Sequence, residues 1–261
     1  MLRRIGAVML RHFYETRRNL DRLTDAIYWP AIDVVMWVFL TGYLRQGNRL
    51  HPGVTNVLLG GLILWGVFRS FQRDLAVGFL TEIWSRNVIN LFGSPLTVTE
   101  YMVGLAAGNF VKAFIGLICA MLIARIGWSG GFLDRLPSLL PFALILVLFA
   151  LALGVAVTGL IFRYTTRVQT FAYGLAGLLM PVSCVFYPLA ALPAWLQPAA
   201  LALPTTHVFE GMRQALAGGG VSGRSLSWGF GLAVCYFVVA VAWFKAVYNS
   251  ARRRGHLVRL D

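Results

Sequence analysis

Charge is what this chain has least of. Only 13% of its 261 residues are Asp, Glu, Lys or Arg, against about a quarter in soluble domains. A water-soluble fold of this size needs a far more charged surface, so that class is excluded. Lysine is nearly absent, occurring only at Lys112 and Lys245. Each is followed by alanine, so neither completes the G-x-x-x-x-G-K-[ST] loop that cradles nucleotide phosphates. The chain therefore carries no ATP-hydrolysing loop of that type. Cysteine is scarce too: Cys119, Cys184 and Cys235 fall in apolar blocks with no partner at ligand or disulfide spacing, and read as small hydrophobes. His12, His51, His207 and His256 are scattered, and no metal set or Ser/His/Asp arrangement stands out. No cofactor is expected in this chain, and no enzymatic activity.

What is present is apolar sequence in long blocks. Hydrophobic residues make up 58% of the chain and the mean hydropathy is +0.71. The expected class is an all-α integral membrane protein, a single transmembrane domain over 1–261. Six spans are expected, at 26–44, 54–71, 99–123, 139–162, 170–187 and 226–248. The net charge of +13 belongs with cytoplasmic loops and anionic headgroups rather than nucleic acid. Six crossings put both termini on one side. That side holds fourteen arginines, among them Arg3, Arg4, Arg11, Arg73, Arg86 and Arg163, and the other holds six. The positive-inside rule then places both termini in the cytoplasm, in a multi-pass protein of the cytoplasmic (inner) membrane.

Before the first span, residues 1–25 have helical periodicity. Leu2, Ile5, Met9, Phe13, Thr16, Leu20 and Leu23 form a mostly apolar stripe, opposite Arg3, Arg4, Arg11, Arg18 and Arg22. This is the pattern of a helix lying in the membrane interface, and no signal peptide is expected there. From Val168 to Thr206 no residue is charged, a run of 39, nearly twice the ~20 needed to cross the bilayer core. Pro181, Pro188, Pro193, Pro198 and Pro204 exclude one continuous helix. One span and a re-entrant outer segment, 188–213, are expected, with its backbone covered by protein. Of the charges inside spans, two stand out: Asp33 in the first and Lys112 in the third. They either pair with each other, reach water, or serve transport.

Two stretches carry a resemblance. One is Glu82-Ile83-Trp84-Ser85-Arg86-Asn87 through Phe92 to Ser94-Pro95-Leu96 and Glu100. The other runs from Tyr187-Pro188-Leu189 to Gln197, then from Leu203-Pro204-Thr205-Thr206-His207 to Arg213. With the order of spans, they resemble the ABC-2 family of ATP-binding-cassette exporter permeases, over the whole chain. The resemblance implies a non-catalytic permease subunit that pairs with a second copy, as a homodimer, and with two copies of a separate ATPase subunit holding ATP and Mg. It implies an N-terminal interface helix, re-entrant helices before the last span, and a coupling helix at 82–93. In that helix Ile83, Trp84, Val88, Ile89 and Phe92 would fill a groove of the ATPase, and Glu82, Arg86 and Asn87 would set register at its rim. The expected cargo is amphipathic: a glycolipid, lipid-linked glycan or hydrophobic drug. Its path would run along spans one and five, past Asp33, Trp37, Tyr43, Phe171 and Tyr173. The competing expectation is an ion-coupled secondary transporter or channel using Asp33 and Lys112, but no inverted repeat is found.

Overall fold

A computed structural model describes residues 1–46, 52–127 and 137–253. All regular structure among them is helical. The helices are α1 (Leu2–Arg18), α2 (Leu20–Gln46), α3 (Pro52–Trp84), α4 (Val88–Gly93), α5 (Val98–Gly127), α6 (Leu140–Tyr164), α7 (Gln169–Leu179), α8 (Gln197–Leu201), α9 (Pro204–Gln214) and α10 (Gly223–Arg253).

Four stretches among the described residues are long and apolar enough to cross a membrane: Val54–Trp84, Val98–Cys119, Pro137–Leu179 and Gly223–Ala251. A shorter apolar stretch, Ala31–Tyr43, lies in α2. The expected loop at 45–52 lies largely outside the described residues, as do the loop after the third span and most of the tail.

Ring contacts give the helix directions. Phe68 stacks on Phe149 at 5.6 Å between ring centroids, and Phe79 on Phe162 at 4.2 Å, so α3 and α6 run parallel. Tyr236 meets Phe149 and Phe244 meets Phe162, so α10 runs parallel to both. α5 is antiparallel, with Phe110 on Phe71 and Tyr101 on Phe79. These aromatics tie together two apolar clusters, one around Phe68, Phe142 and Phe209 and one around Phe79, Tyr101 and Phe162. Lipid tails are as apolar as Leu, so such packing, rather than escape from water, holds the bundle together. The α1 end and the end of α10 lie at the same end of the bundle, where α3 stops: the Met1 amine is 3.9 Å from Glu100 and Tyr248 packs on Phe162.

Three expected boundaries change. The first helix stops at Arg18, where Asn19 turns extended (φ −104°, ψ 110°), so Leu20 and Leu23 belong to α2. The second span continues as helix to Trp84, well beyond Phe71. The fifth, expected over 170–187, is helical only to Leu179. Pro181 has no N–H to continue the ladder and crowds the preceding turn, so the helix gives way to turns.

Beyond α7 the chain is held by side chains. Arg213 Nη1 donates to the Cys184 carbonyl (2.8 Å) and Nη2 to Glu210 (3.0 Å), whose Oε1 also accepts from the Leu189 N–H (2.7 Å). Cys184 sits in the left-handed region at φ 54°. A Cβ on Gly61 would lie 2.9 Å from the Val185 carbonyl, so only glycine lets this turn rest on α3. The pieces that follow, α8 and α9, have 5 and 11 residues. Neither reaches the ~20 needed to cross.

Candidate functional site

The element joining α3 to α5 is an elbow built from local rules. After Trp84 the helix closes with paired reverse bonds: Arg86 N–H to the Ile83 carbonyl (3.0 Å) and Asn87 N–H to the Glu82 carbonyl (2.9 Å). This is a Schellman cap, whose C′ residue is left-handed and usually glycine. Here that residue is Arg86, at φ 54°. The short α4 follows. Ser94 then donates to the Leu91 carbonyl and accepts from Leu96 N–H. Thr97 and Glu100 start α5 as a reciprocal capping box: Thr97 N–H to Glu100 Oε2 is 2.9 Å and Glu100 N–H to Thr97 Oγ1 is 3.2 Å. The Ser94-Pro95-Leu96 stretch with its acid at Glu100 is thus a helix stop and a helix start in seven residues.

The expected coupling helix over 82–93 is therefore two helical pieces at an angle, and its residues divide. Trp84, at 49% exposure, and Ile89, at 58%, face outward with Arg86. Glu82 and Ile83 do not stand at a rim or fill a partner's groove: both are buried in this chain, as is Val88. Glu82 is held there because its carboxylate accepts from Arg11 Nη2 (2.9 Å), Asn87 Nδ2 (2.6 Å) and Tyr101 Oη (3.3 Å). Asn87 thus serves the elbow's own fold. The side chain of Phe92 lies outside the described residues.

Helix α1 braces this elbow. Arg4 Nη1 donates to the Pro95 carbonyl (2.6 Å) and lies 3.6 Å from Glu100. Arg11 bridges Glu82 and Glu15. Burial works against the Arg11 charge, but Glu82 and Glu15 outweigh it and raise its pKa above the ordinary arginine value. The adjoining face of α1 lies against α5. A Cβ on Gly104 would be 2.6 Å from Val8 Cβ, and one on Gly108 would be 3.0 Å from the His12 ring. The buried face of α1 therefore centres on Val8, off the expected stripe. Leu2 and Phe13 of that stripe stay exposed.

Deeper in the bundle the charges are paired, though not as expected. Asp33 and Lys112 do not meet. Asp33 pairs with Arg69 of α3 at 2.7 Å, and Lys112 with Asp74 of α3 at 2.9 Å, where Arg73 also reaches Asp74 at 3.1 Å. Each is a charge-assisted bond; the Lys112–Asp74 pair is the buried one, where an unpaired charge is costly. Of the expected path residues, Trp37 stacks on Phe186 of the turns after α7 at 4.8 Å. Tyr43, Phe171 and Tyr173 are exposed on the surfaces of α2 and α7. The structure joins Trp37 to the segment after α7 but does not gather the five into one site.

Arg69 and the Gly104–Gly108 pair were not singled out in the sequence, although G-x-x-x-G is a recognised close-packing signal in membrane helices, and Arg11 was read only as part of the polar face of the first helix. Arg69 had a weaker signal: a charge inside an apolar run needs a partner, and Asp33 was at hand.

Long apolar helices, ion pairs between them and a braced elbow at one end define a polytopic helical membrane protein. The family model for ABC-2 family transporter proteins matches residues 47–242, three quarters of the chain, and the chain belongs to that family. Members are transmembrane subunits, generally non-catalytic, that work with an ATP-binding-cassette ATPase. No curated protein matches it.

Proposed function

We propose that this chain is the transmembrane subunit of an ATP-driven exporter of an amphipathic substrate, a glycolipid, lipid-linked glycan or hydrophobic drug. Two copies pair, and each engages one ATPase subunit, which holds ATP and Mg. Six crossings, formed by α2, α3, α5, α6, α7 with its following turn, and α10, put both termini in the cytoplasm of a cell whose inner membrane holds the complex. The antiparallel order of α2, α3 and α5 and the arginine-rich end that carries α1 support this orientation.

The observation that carries the reading is the elbow. Trp84, Arg86 and Ile89 point outward from a turn fixed from behind by Glu82, Asn87 and Arg11. An exposed aromatic beside an arginine is the usual composition of an interface anchor. A non-glycine residue held left-handed at that point is strain of the kind found at functional turns. The ion-coupled alternative is less supported, because Asp33 and Lys112 are both closed in pairs with α3.

The test is co-purification of ATPase activity with the tagged chain. Trp84→Ala and Arg86→Glu should reduce the co-purifying activity severalfold while leaving yield and detergent stability near wild type. Wild-type activity in both variants would show that the ATPase docks elsewhere.

A further inference from the structure

Arg69 places a half-open cation near mid-depth of the bundle. It stands at the centre of the Val54–Trp84 stretch, about 22 Å from either end. Its neighbour Phe68 stacks on Phe149, near the middle of the uncharged run Leu140–Phe162 of α6. Tyr236, near the middle of the uncharged run Ser225–Phe244 of α10, packs on the same ring. Three helices thus agree on the depth. The side chains of Arg69 and its partner Asp33 are 41% and 28% exposed, whereas those of Lys112 and Asp74 are 12% and 9% exposed. Charges inside a membrane face the bundle interior or a water-filled cavity, not lipid, so a pair this open at this depth needs a polar path beside it. The arginine is the more open partner. A guanidinium has five N–H donors. Asp33 takes Nη2 at 2.7 Å, and Nε and Nη1 have no acceptor among the described residues. On the next turn of α3, a Cβ on Gly66 would meet nothing within 4 Å, so the helix is uncovered there. Trp37, one turn from Asp33 on α2, stacks on Phe186 and adds an aromatic wall near the cation.

We infer that Arg69 holds the acidic group of the cargo in transit, so that the exported molecule is an amphiphile carrying a phosphate or carboxylate. The inference rests on the reading of this chain as an exporter subunit and narrows its substrate class. Nε and Nη1 form a planar donor fork that matches an oxyanion. Asp33 orients that fork through Nη2 and partly neutralises it, so the anion is held loosely enough to leave. A resident phospholipid does not explain the site. The bilayer core is about 30 Å thick, which keeps a resident phosphate about 15 Å from the midplane. A headgroup at the depth of Arg69 belongs to a molecule that is crossing.

The test uses the full chain without any ATPase, in phosphatidylcholine nanodiscs, so that failure of the ATPase partnership and failure of this site are distinguishable. Cys119 and Cys235 are replaced by alanine, the buried Cys184 is kept, and Gly66→Cys sets a thiol one turn from Arg69. Its rate of alkylation by iodoacetamide, which is uncharged and water-soluble, is measured with dodecyl phosphate or dodecyltrimethylammonium as probe. The thiol should react, and dodecyl phosphate should slow it about tenfold, the scale of one charge-assisted contact. The cationic probe should not. Asp33→Asn, which leaves the Arg69 charge uncompensated, should lower the half-protecting concentration of dodecyl phosphate severalfold. Asp33→Asn with Arg69→Gln removes both charges and orphans neither; it should abolish protection while the thiol still reacts. A thiol inert to iodoacetamide would overturn the inference, because no polar path would reach Arg69. Equal protection by the two probes, or protection that survives the double substitution, would overturn it as well. So would equal protection by phosphatidylglycerol built into the disc, because a resident lipid would then fill the site.

Discussion

The seat of α1 on α5 gives the sharpest test of the structure. Replacing Gly104 by alanine adds one methyl group, placed 2.6 Å from Val8 Cβ, 2.7 Å from Val8 Cγ1 and 3.2 Å from the Ile5 carbonyl oxygen. Carbon atoms pack at about 3.5–4.0 Å, so the helices must part by about 1 Å. Val8 cannot swing away, because its Cβ is fixed to the α1 backbone. Overpacking of this kind costs about 1–3 kcal/mol. The same displacement strains the contacts of Arg4 and Arg11, which are set to a few tenths of an ångström by geometry on the same helix. The expected outcome is local: α1 opens more often while the bundle stays folded. Amide hydrogen exchange should therefore accelerate about 5- to 150-fold within α1 and little in α6 or α10. Val8→Gly, which removes the clashing Cβ, should restore much of the protection in the double variant. Val8→Ala, which leaves it, should not. Exchange in α1 within twofold of wild type for Gly104→Ala would refute the close approach and the bracing role built on it.

At the elbow, Arg86→Gly should raise thermal stability in detergent by about 0.5–1 kcal/mol, because glycine takes the left-handed cap position freely, whereas Arg86→Val should lower it; loss of stability with glycine would refute the cap. Lys112→Met should destabilise by less than the roughly 3–5 kcal/mol of an orphaned buried charge, since Arg73 still reaches Asp74, and adding Asp74→Asn should recover part of the loss. Additivity in that double-mutant cycle would mean that the two side chains do not interact. Arg213→Met should free the Cys184 carbonyl and let the outer turn open, so that the fully buried Cys184 thiol reacts with an impermeant maleimide; a thiol as protected as in wild type would show that Arg213 is not the clasp.

The parts of this molecule written in hydropathy were plain in the sequence. Long uncharged runs can only be helices in lipid, and α5, α6 and α10 begin and end within a few residues of the expected places. The proline series after Val168 likewise foretold that no long helix could continue through 181–204. What hydropathy could not supply was pairing across helices. Asp33 and Lys112 were visible as buried charges, but distance along the chain gives no hint that α3 would take both. The elbow was misjudged for a related reason. Glu82 and Trp84 are near neighbours on paper, yet on a helix two positions turn a side chain by roughly 200°, so one enters the bundle and the other leaves it. Arg86 hid the break that follows them, because the usual signal for a helix stop is glycine.

The length of α3 has a mechanical consequence. At about 1.5 Å per residue its 33 residues make a rod of about 50 Å. Asp74, fastened to Lys112 of α5, lies ten residues from the Trp84 end and thirteen from Gly61, where the outer turn rests. Those arms are about 15 and 20 Å. A rod pinned at such a point behaves as a seesaw with unequal arms: a sideways push of about 2 Å on the elbow swings the outer seat by nearly 3 Å the opposite way. The Val185 carbonyl has no slack for such a swing, because glycine was needed to admit it at all. Pulse-dipolar distances from spin labels at Ser85 and Val54 to α10 would show the two ends moving in opposite senses, and movement in the same sense would mean that α3 translates without a pivot.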